Sequence, residues 1–337
     1  TFRKTLTTKV HLDEHENYHI QSRCIQHGRF LGGVLYHLMY RCQCCAAQVY
    51  LPELIIFMFS KTLEEFTMQH SLNQVRMIAT DMDGTLLNSQ DQMPRDFFDI
   101  LDQIHKLGIL FVIASGRPYP TLAMQFESCM DKLVFMAENG GCLVNGDHLV
   151  HQDILDTDAL SYLLGRCRQV PGAIPILSGF KTAYLFDQTS DDARKEIGRY
   201  YKKVQYIHDI SEIDAPVSKV TVCDFKGAES NSFPALFDVR APFKATLAGY
   251  MWTDLSLATT NKGRGLTALQ KKYGISPDET MVFGDYLNDY EMMKQGYFSY
   301  AMANAHPDLK AISNFETLSN NEDGVLYIIR QLIHSRQ

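Results

Sequence analysis

The sequence predicts an α/β protein in which a doubly wound parallel sheet carries an inserted, smaller α+β domain. Two observations support this fold class. From Val75 onward, short apolar runs alternate with helical stretches, which is typical of a parallel sheet covered by helices on both faces. Between about 153 and 254 the order changes to strands paired with helices, so we expect this segment to form a separate cap.

The first half of the main sheet is predicted by a regular βαβαβ order, whose strands should be parallel. The glycines at 140–141 and the pair Asn145-Gly146 then predict a hairpin that leads toward the cap. The predicted elements before that hairpin are a strand at 75–80, a helix at 94–107 that ends at Gly108, a strand at 109–114, a helix from Pro118 and a strand at 133–138.

The same pattern of apolar runs and helical stretches predicts the elements of the cap and those that rejoin the main sheet. Predicted cap strands lie at 174–178, 182–186, 217–223 and 243–247, with helices near 157–169, 190–203 and 230–238. The returning elements are a helix from Lys262 to about Tyr273, a strand at 280–284 and closing elements at 288–295, 297–301 and 323–334. We therefore predict a core over 75–152 and 255–337, a cap over 153–254 and an N-terminal extension over 1–74.

Two aspartates follow the first core strand, where residues 78–86 read Ile-Ala-Thr-Asp-Met-Asp-Gly-Thr-Leu. Asp81 and Asp83, two positions apart at a strand end, can converge on one hard cation, and Gly84 permits a turn whose N–H groups face an anion. A calcium loop is excluded because Gly84 stands fourth rather than sixth, and the twelfth residue is Gln92 rather than Glu. The pattern indicates a magnesium and phosphate site, although a surface turn uses the same residue types.

Three later segments place polar groups at the same predicted edge of the sheet. Ser115-Gly116 follows the second strand, Lys262 begins a helix, and Asp285 ends the third strand shortly before Asn288-Asp289. Ligands of open α/β sheets bind at the carboxyl ends of the strands. Each segment alone is weak, since a lysine or a capping aspartate is usually only that. Four such segments in this order make coincidence a poor explanation.

The four motifs are Asp-Met-Asp-Gly-Thr, Ala-Ser-Gly-Arg-Pro, Asn-Lys-Gly and Gly-Asp-Tyr-Leu-Asn-Asp. With them the sequence resembles, over about 75–335, the haloacid dehalogenase (HAD) superfamily, and within it the Cof-type phosphatases that carry an α/β cap between the second and third motifs. The resemblance implies a Rossmann-like core and Mg²⁺-dependent hydrolysis of small phosphorylated metabolites, with sugar phosphates as the leading substrates.

The resemblance also implies residue roles. Asp81 would attack phosphorus and become an aspartyl-phosphate, while Asp83 would protonate the leaving alcohol and then activate water. Mg²⁺ would be held by Asp81, the backbone carbonyl of Asp83 and Asp285, and Asp289 would brace Lys262 or metal-bound water. The residues expected to contact phosphate are Met82, Ser115, Gly116, Lys262 and Asn288.

Substrate specificity is expected to belong to the cap. Candidate contacts are Lys181, in the turn at 178–181, and Trp252, the only tryptophan. An alternative is that Phe180 and Trp252 simply pack the cap or its interface with the core. If they line a pocket, a sugar phosphate and a flat ring such as a phosphorylated vitamin are both plausible. A phosphotransferase or mutase of the same superfamily, or a non-catalytic phosphate-binding protein, are the rival functions.

The composition limits the classes of binding partner that the chain is expected to have. The net charge of −7 and the absence of a basic run interleaved with aromatics argue against nucleic acid. The eight cysteines form no paired framework, which favours reduced thiols and a cytoplasmic location. No feature indicates a membrane span or an oligomeric state.

Residues 1–74 differ from the rest in composition. They hold six of the twelve histidines and the motif Cys42-Gln43-Cys44-Cys45, but this spacing lacks the paired two-residue separation of structural zinc sites. The apolar stretches at 30–40 and 51–59 are too short to span a bilayer. We therefore expect a poorly ordered or non-native extension rather than part of the enzyme.

Overall fold

The fold is described from a computed structural model, for residues 9–12, 18–21 and 71–337. The strands β1 (Lys9–Leu12) and β2 (Tyr18–Gln21) form a two-stranded antiparallel sheet of their own. The prediction that 1–74 is a poorly ordered or non-native extension falls mostly on residues that lie outside the described ranges.

The remaining strands are β3 (Met77–Asp81), β4 (Leu110–Ala114), β5 (Leu133–Ala137), β6 (Cys142–Asn145), β7 (His148–Gln152), β8 (Ile174–Gly179), β9 (Ala183–Phe186), β10 (Val204–Ile207), β11 (Val217–Cys223), β12 (Phe243–Gly249), β13 (Trp252–Leu257), β14 (Thr280–Gly284), β15 (Phe298–Ala301) and β16 (Phe315–Glu316). The described α-helices are α1 (Phe97–Lys106), α2 (Tyr119–Gln125), α3 (Thr157–Cys167), α4 (Asp191–Tyr200), α5 (Ser232–Leu236), α6 (Lys262–Tyr273), α7 (Tyr290–Met293), α8 (Pro307–Ile312) and α9 (Gly324–Ser335).

The larger sheet has eight strands in the order β16-β15-β14-β3-β4-β5-β6-β7. Neighbours are parallel from β16 to β5, and the hairpin β6-β7 adds two antiparallel strands at the edge. All five residues of β3 are buried, because helices cover both faces of a parallel sheet. The doubly wound core that the alternation predicts is confirmed.

The smaller sheet has six strands in the order β10-β9-β8-β11-β13-β12 and is antiparallel except between β9 and β10. It has a hydrophobic cluster of its own, to which α3 contributes Leu160, Leu163 and Leu164 and the central strand β11 contributes Val220. This is the inserted α+β cap that the sequence predicts.

The two segments that connect the sheets lie side by side. Asp153, just after β7, is buried and accepts a hydrogen bond from the hydroxyl of Thr260, just before α6. Arg264, in the first turn of α6, donates from Nη1 to both carboxylate oxygens of Asp153, at 2.8 and 2.9 Å. One carboxylate therefore ties together the outgoing segment, the returning segment and the helix that begins with Lys262.

Several elements differ from the sequence prediction. The strands β10 and β13 and the helix α8 were not predicted, and the strand expected at 133–138 ends at Ala137, where a 3₁₀ turn begins. The predicted cap boundary at 254 falls inside β13, so the domain limits stay a prediction. No helix among the described residues is long and apolar enough to cross a bilayer.

Candidate active site

The candidate site lies where the strand order of the large sheet reverses. The chain runs from β3 outward through β4 and β5 on one side, and returns through β14 and β15 on the other. Asp81 is the last residue of β3, Ser115 follows β4 and Asp285 follows β14. Such a reversal opens a crevice at the carboxyl ends of the strands, where ligands of these folds bind. The topology thus brings three of the sequence motifs to one edge.

Three carboxylates meet in this crevice. Asp81, Asp285 and Asp289 each offer an oxygen, and these three oxygens lie within 4.8 Å of one another. Burial and the neighbouring Asp289 raise the pKa of Asp81 well above its ordinary value, although Lys262 opposes the shift. Burial and Asp289 likewise raise the pKa of Asp285 to about 6. The raised values reflect like charges held close together away from water.

Lys262 is the counter-charge that the protein itself supplies. Its side chain is fully buried, and its ammonium pairs with Asp81 and, at 2.6 Å, with Asp289 Oδ1. Burial alone would lower the pKa of Lys262, but Asp289 and Asp81 together raise it above its ordinary value, so the ammonium stays charged.

Local structure explains how the lysine reaches this position. The side chain of Asn261 caps α6 by accepting a hydrogen bond from the N–H of Arg264 at 2.8 Å. At Gly263 an added Cβ would lie 2.4 Å from the carbonyl oxygen of Glu291, so α6 and α7 are in backbone contact there. The Asn-Lys-Gly motif therefore combines a cap, a charge and a close approach.

Gly84 leaves room for the carboxylate of Asp285. Its φ is +83°, and a Cβ there would lie 2.4 Å from Asp285 Oδ2. The hydroxyl of Thr85 donates to the other oxygen of Asp285 at 3.0 Å. Asp289 Oδ2 accepts from the N–H groups of Asp285 at 3.1 Å and of Tyr286 at 3.4 Å. Contacts between the first and fourth motifs therefore fix their relative position.

Asp83 lies outside this carboxylate cluster, with half of its side chain exposed. Arg117 Nη2 donates to one of its oxygens at 2.6 Å, and Nε approaches the other at 3.3 Å. Ser115 is buried, and its hydroxyl accepts from the N–H of Arg117 at 3.1 Å. Arg117 belongs to the Ala-Ser-Gly-Arg-Pro motif, but no role for its side chain is predicted from the sequence.

A family model described as haloacid dehalogenase-like hydrolase matches residues 78–329, which includes every residue of this site. The chain belongs to the haloacid dehalogenase-like hydrolases. The predicted resemblance to the HAD superfamily and its Cof-type phosphatases is thereby confirmed.

Named relatives agree with this family. 5-Amino-6-(5-phospho-D-ribitylamino)uracil phosphatase YbjI of Escherichia coli is 32% identical over 262 residues, which covers 77% of this chain and 96% of the relative. YwtE of Bacillus subtilis, which carries the same activity in its name, is 27% identical over 285 residues and covers 77% and 98%. The crystal structure of SMU.1108c from Streptococcus mutans is 31% identical with a TM-score of 0.67, over 77% of this chain and 99% of that one. The family and its named phosphatases place this HAD-like chain among phosphatase enzymes.

The residues of this HAD-like site fit a divalent cation. Asp81, Asp285 and Asp289 carry three negative charges against the single positive charge of Lys262. Burial beside Asp289 raises the pKa of Asp81 and of Asp285, as expected where Lys262 does not fully compensate the negative charge. Carboxylate oxygens are the ligands that Mg²⁺ prefers in proteins. The donor set therefore matches the metal that the sequence predicts.

The remaining predicted residues lie in different surroundings. Met82 is fully buried and Asn288 is exposed at the site. Trp252 packs edge-to-face on Tyr200, with ring centroids 5.0 Å apart. Lys181 lies over Phe180, whose ring in turn stacks on Tyr119 of α2 at 5.1 Å. The structure thus does not join Lys181 or Trp252 to the carboxylate cluster, and their role in specificity stays a prediction.

Proposed function

We propose that this protein is a Mg²⁺-dependent phosphomonoesterase that hydrolyses small phosphorylated metabolites through an aspartyl-phosphate on Asp81. One observation carries this proposal. Asp81 lies buried at the reversal of the sheet, paired with a buried lysine and within reach of two further carboxylates. A cytoplasmic location belongs to the proposal and is supported by the described cysteines, Cys129, Cys142, Cys167 and Cys223, which are free and buried.

Asp81, Asp285 and the backbone carbonyl of Asp83 would hold Mg²⁺. Bound there, the metal supplies positive charge that lets an anionic phosphate approach an anionic carboxylate. Asp289 would brace the site through Lys262 and through the N–H of Asp285.

The chain's own groups account for the two chemical steps. In the first, Asp81 Oδ attacks phosphorus, the bond to the leaving oxygen breaks, and Asp83 donates a proton to that oxygen. In the second, Asp83 takes a proton from water, whose oxygen attacks phosphorus and releases Asp81 with inorganic phosphate. Lys262 and the hydroxyl of Ser115 stabilise charge on the phosphoryl oxygens, with Met82, Gly116 and Asn288 as further contacts.

A phosphomonoester on a polyhydroxyl chain is the substrate class that we propose. Sugar phosphates are the leading candidates. The names of the relatives from E. coli and B. subtilis support a second candidate, a ribityl phosphate carried on a pyrimidine ring. Both candidates carry the phosphate on a polyhydroxyl group, which a cap can enclose.

Hydrolysis of p-nitrophenyl phosphate by the purified chain tests the reaction. We expect turnover with Mg²⁺, loss with EDTA and recovery when Mg²⁺ is restored. A panel of sugar phosphates and 5-amino-6-(5-phospho-D-ribitylamino)uracil then tests the substrate class, where we expect kcat/KM to exceed that for p-nitrophenyl phosphate. Turnover that is indifferent to EDTA would exclude the metal-dependent reaction.

A further inference from the structure

A second buried ionic cluster lies where the cap meets the core, away from the residues that perform the proposed chemistry. Lys219, in the middle of the cap strand β11, is only 5% exposed. Its Nζ pairs with Asp254 Oδ2 of β13 at 2.9 Å and with Glu138 Oε2 at 2.5 Å. Since Glu138 follows the core strand β5, one ammonium joins the two sheets.

Cap residues hold the lysine side of this cluster in place. Thr221 Oγ1 donates to Asp254 Oδ1 at 2.7 Å, and the hydroxyl of Tyr201 donates to Thr221 Oγ1 at 3.0 Å. Burial would lower the pKa of Lys219, but Asp254 and Glu138 raise it well above its ordinary value. The lysine is therefore a fixed, charged group that the cap presents to the core.

The core side has an unusual backbone. Glu138 and Asn139 are consecutive non-glycine residues with φ of +54° and +53°. This left-handed region is unfavourable for side chains with a Cβ, and it persists only where surrounding contacts enforce it. Such backbone strain is found most often at functional sites. Here it directs the carboxylate of Glu138 toward Lys219.

The same strained turn is bonded to the segment 115–117, which we assign to phosphate. The N–H of Asn139 donates to the carbonyl of Ser115 at 2.9 Å, and the N–H of Glu138 donates to the carbonyl of Arg117 at 3.1 Å. Lys219 Nζ also lies 3.5 Å from the carbonyl oxygen of Gly116. Glu138 thus contacts the cap with its side chain and the phosphate segment with its backbone.

We propose that Glu138, Lys219 and Asp254 form an ionic latch that fixes the cap against the phosphate-binding segment 115–117. Glu138 is then a positioning residue for the reaction. Lifting the cap separates Glu138 from Lys219 and breaks their ion pair, so this pair favours the closed arrangement. The assignment of 115–117 rests on the proposed function, whereas the latch itself concerns only contacts between cap and core.

Hydrogen–deuterium exchange of the full chain tests the latch without reference to activity. Glu138→Gln keeps the shape of the side chain and removes its charge, and Lys219→Met removes the ammonium. We expect amide exchange at 114–119, 138–141 and 178–182 to accelerate at least tenfold in both variants. These three segments, where cap and core meet, are called the seam. Exchange in β14 and α9, which lie outside these segments, should stay as in the wild type.

Two variants serve as controls. Arg166→Met removes an ion pair of 2.5 Å to Asp238 that lies wholly within the cap, and it should leave exchange at the seam unchanged. Lys219→Arg keeps the charge and should restore most of the protection that Lys219→Met loses. If Lys219→Met does not fold, the near-isosteric Glu138→Gln decides the question alone.

Kinetics add a second measurement. We expect kcat/KM for ribose 5-phosphate to fall at least tenfold in Glu138→Gln and that for p-nitrophenyl phosphate less than threefold, because only ribose 5-phosphate offers hydroxyl groups that the closed cap can bind. Wild-type exchange at the seam in Glu138→Gln, or faster exchange throughout both sheets, would overturn the latch. A wild-type chain without phosphatase activity would instead count against the proposed function and leave the exchange result standing.

Discussion

At the scale of a single residue, Lys262 explains how this site can hold charged groups away from water. A buried ammonium is tolerated only with partners, and Asp81 and Asp289 provide them from two different motifs. Removing one partner from a buried pair leaves an uncompensated charge and costs about 3–5 kcal/mol. Variants that keep the shape and polarity of the side chain therefore separate chemistry from stability best.

Asp81→Asn is the first such variant. The amide keeps the size of the side chain and can still accept a hydrogen bond from Lys262, so we expect the fold to survive. An amide cannot attack phosphorus, and turnover of p-nitrophenyl phosphate should fall by at least about three orders of magnitude. Asp99→Asn, an exposed acid in α1, is the matched control and should behave as the wild type. Activity above a few per cent would refute Asp81 as the nucleophile.

Asp83→Asn should separate the acid–base role from that of the nucleophile. The backbone carbonyl is unchanged, so Mg²⁺ binding should largely survive while protonation of the leaving group and activation of water both fail. With a substrate whose leaving group is good, we expect the phosphorylated protein to accumulate. Mass spectrometry of acid-quenched protein measures this, and unchanged steady-state turnover would contradict the assignment.

The residues that the sequence predicts and those it misses differ in one physical respect. Asp81 and Asp285 directly follow apolar runs, so periodicity alone places them at strand ends. Lys219 and Glu138 are buried together because two domains meet, and they are 81 positions apart in the chain. Nothing local distinguishes Lys219 from an ordinary polar residue in a strand. Its burial is a property of tertiary packing, which the sequence pattern does not contain.

At the scale of elements, strand ends and glycines place the catalytic groups. Short apolar runs bounded by turns were predictable as β3, β4 and β14. The strand β10 was missed because it is short and the burial of its four residues does not alternate. Only two residues separate the end of β12 from the start of β13, so the pair resembles one continuous segment.

The turn at Gly84 offers a test at this scale. Gly84→Ala adds a Cβ that would lie 2.4 Å from Asp285 Oδ2, so we expect Asp285 to be displaced and the Mg²⁺ concentration for half-maximal activity to rise at least tenfold. Gly108→Ala is the matched control, because Gly108 also has a positive φ, +71°, but its added Cβ meets nothing within 4 Å. Equal effects of the two substitutions would assign the loss to backbone strain rather than to the contact with Asp285.

At the scale of the whole molecule, the six-stranded and eight-stranded sheets begin only at Met77, and all the proposed catalytic groups lie within the region that matches the family. Removing residues 1–67 should therefore leave kcat/KM for p-nitrophenyl phosphate within about threefold and the melting temperature nearly unchanged. Comparison of the shortened and full chains by activity and thermal unfolding checks this. An inactive or insoluble shortened chain would show that the N-terminal part contributes to the folded enzyme.

Asp153 has a consequence for how such an enzyme can diversify. Because it ties the outgoing segment to the returning one, the chain leaves the core and rejoins it at one place next to the helix of Lys262. Recombination at that point can exchange one cap for another, of different size or shape, without displacing the lysine. A lineage with this arrangement can acquire new substrates by replacing a module while it inherits its reaction chemistry unchanged.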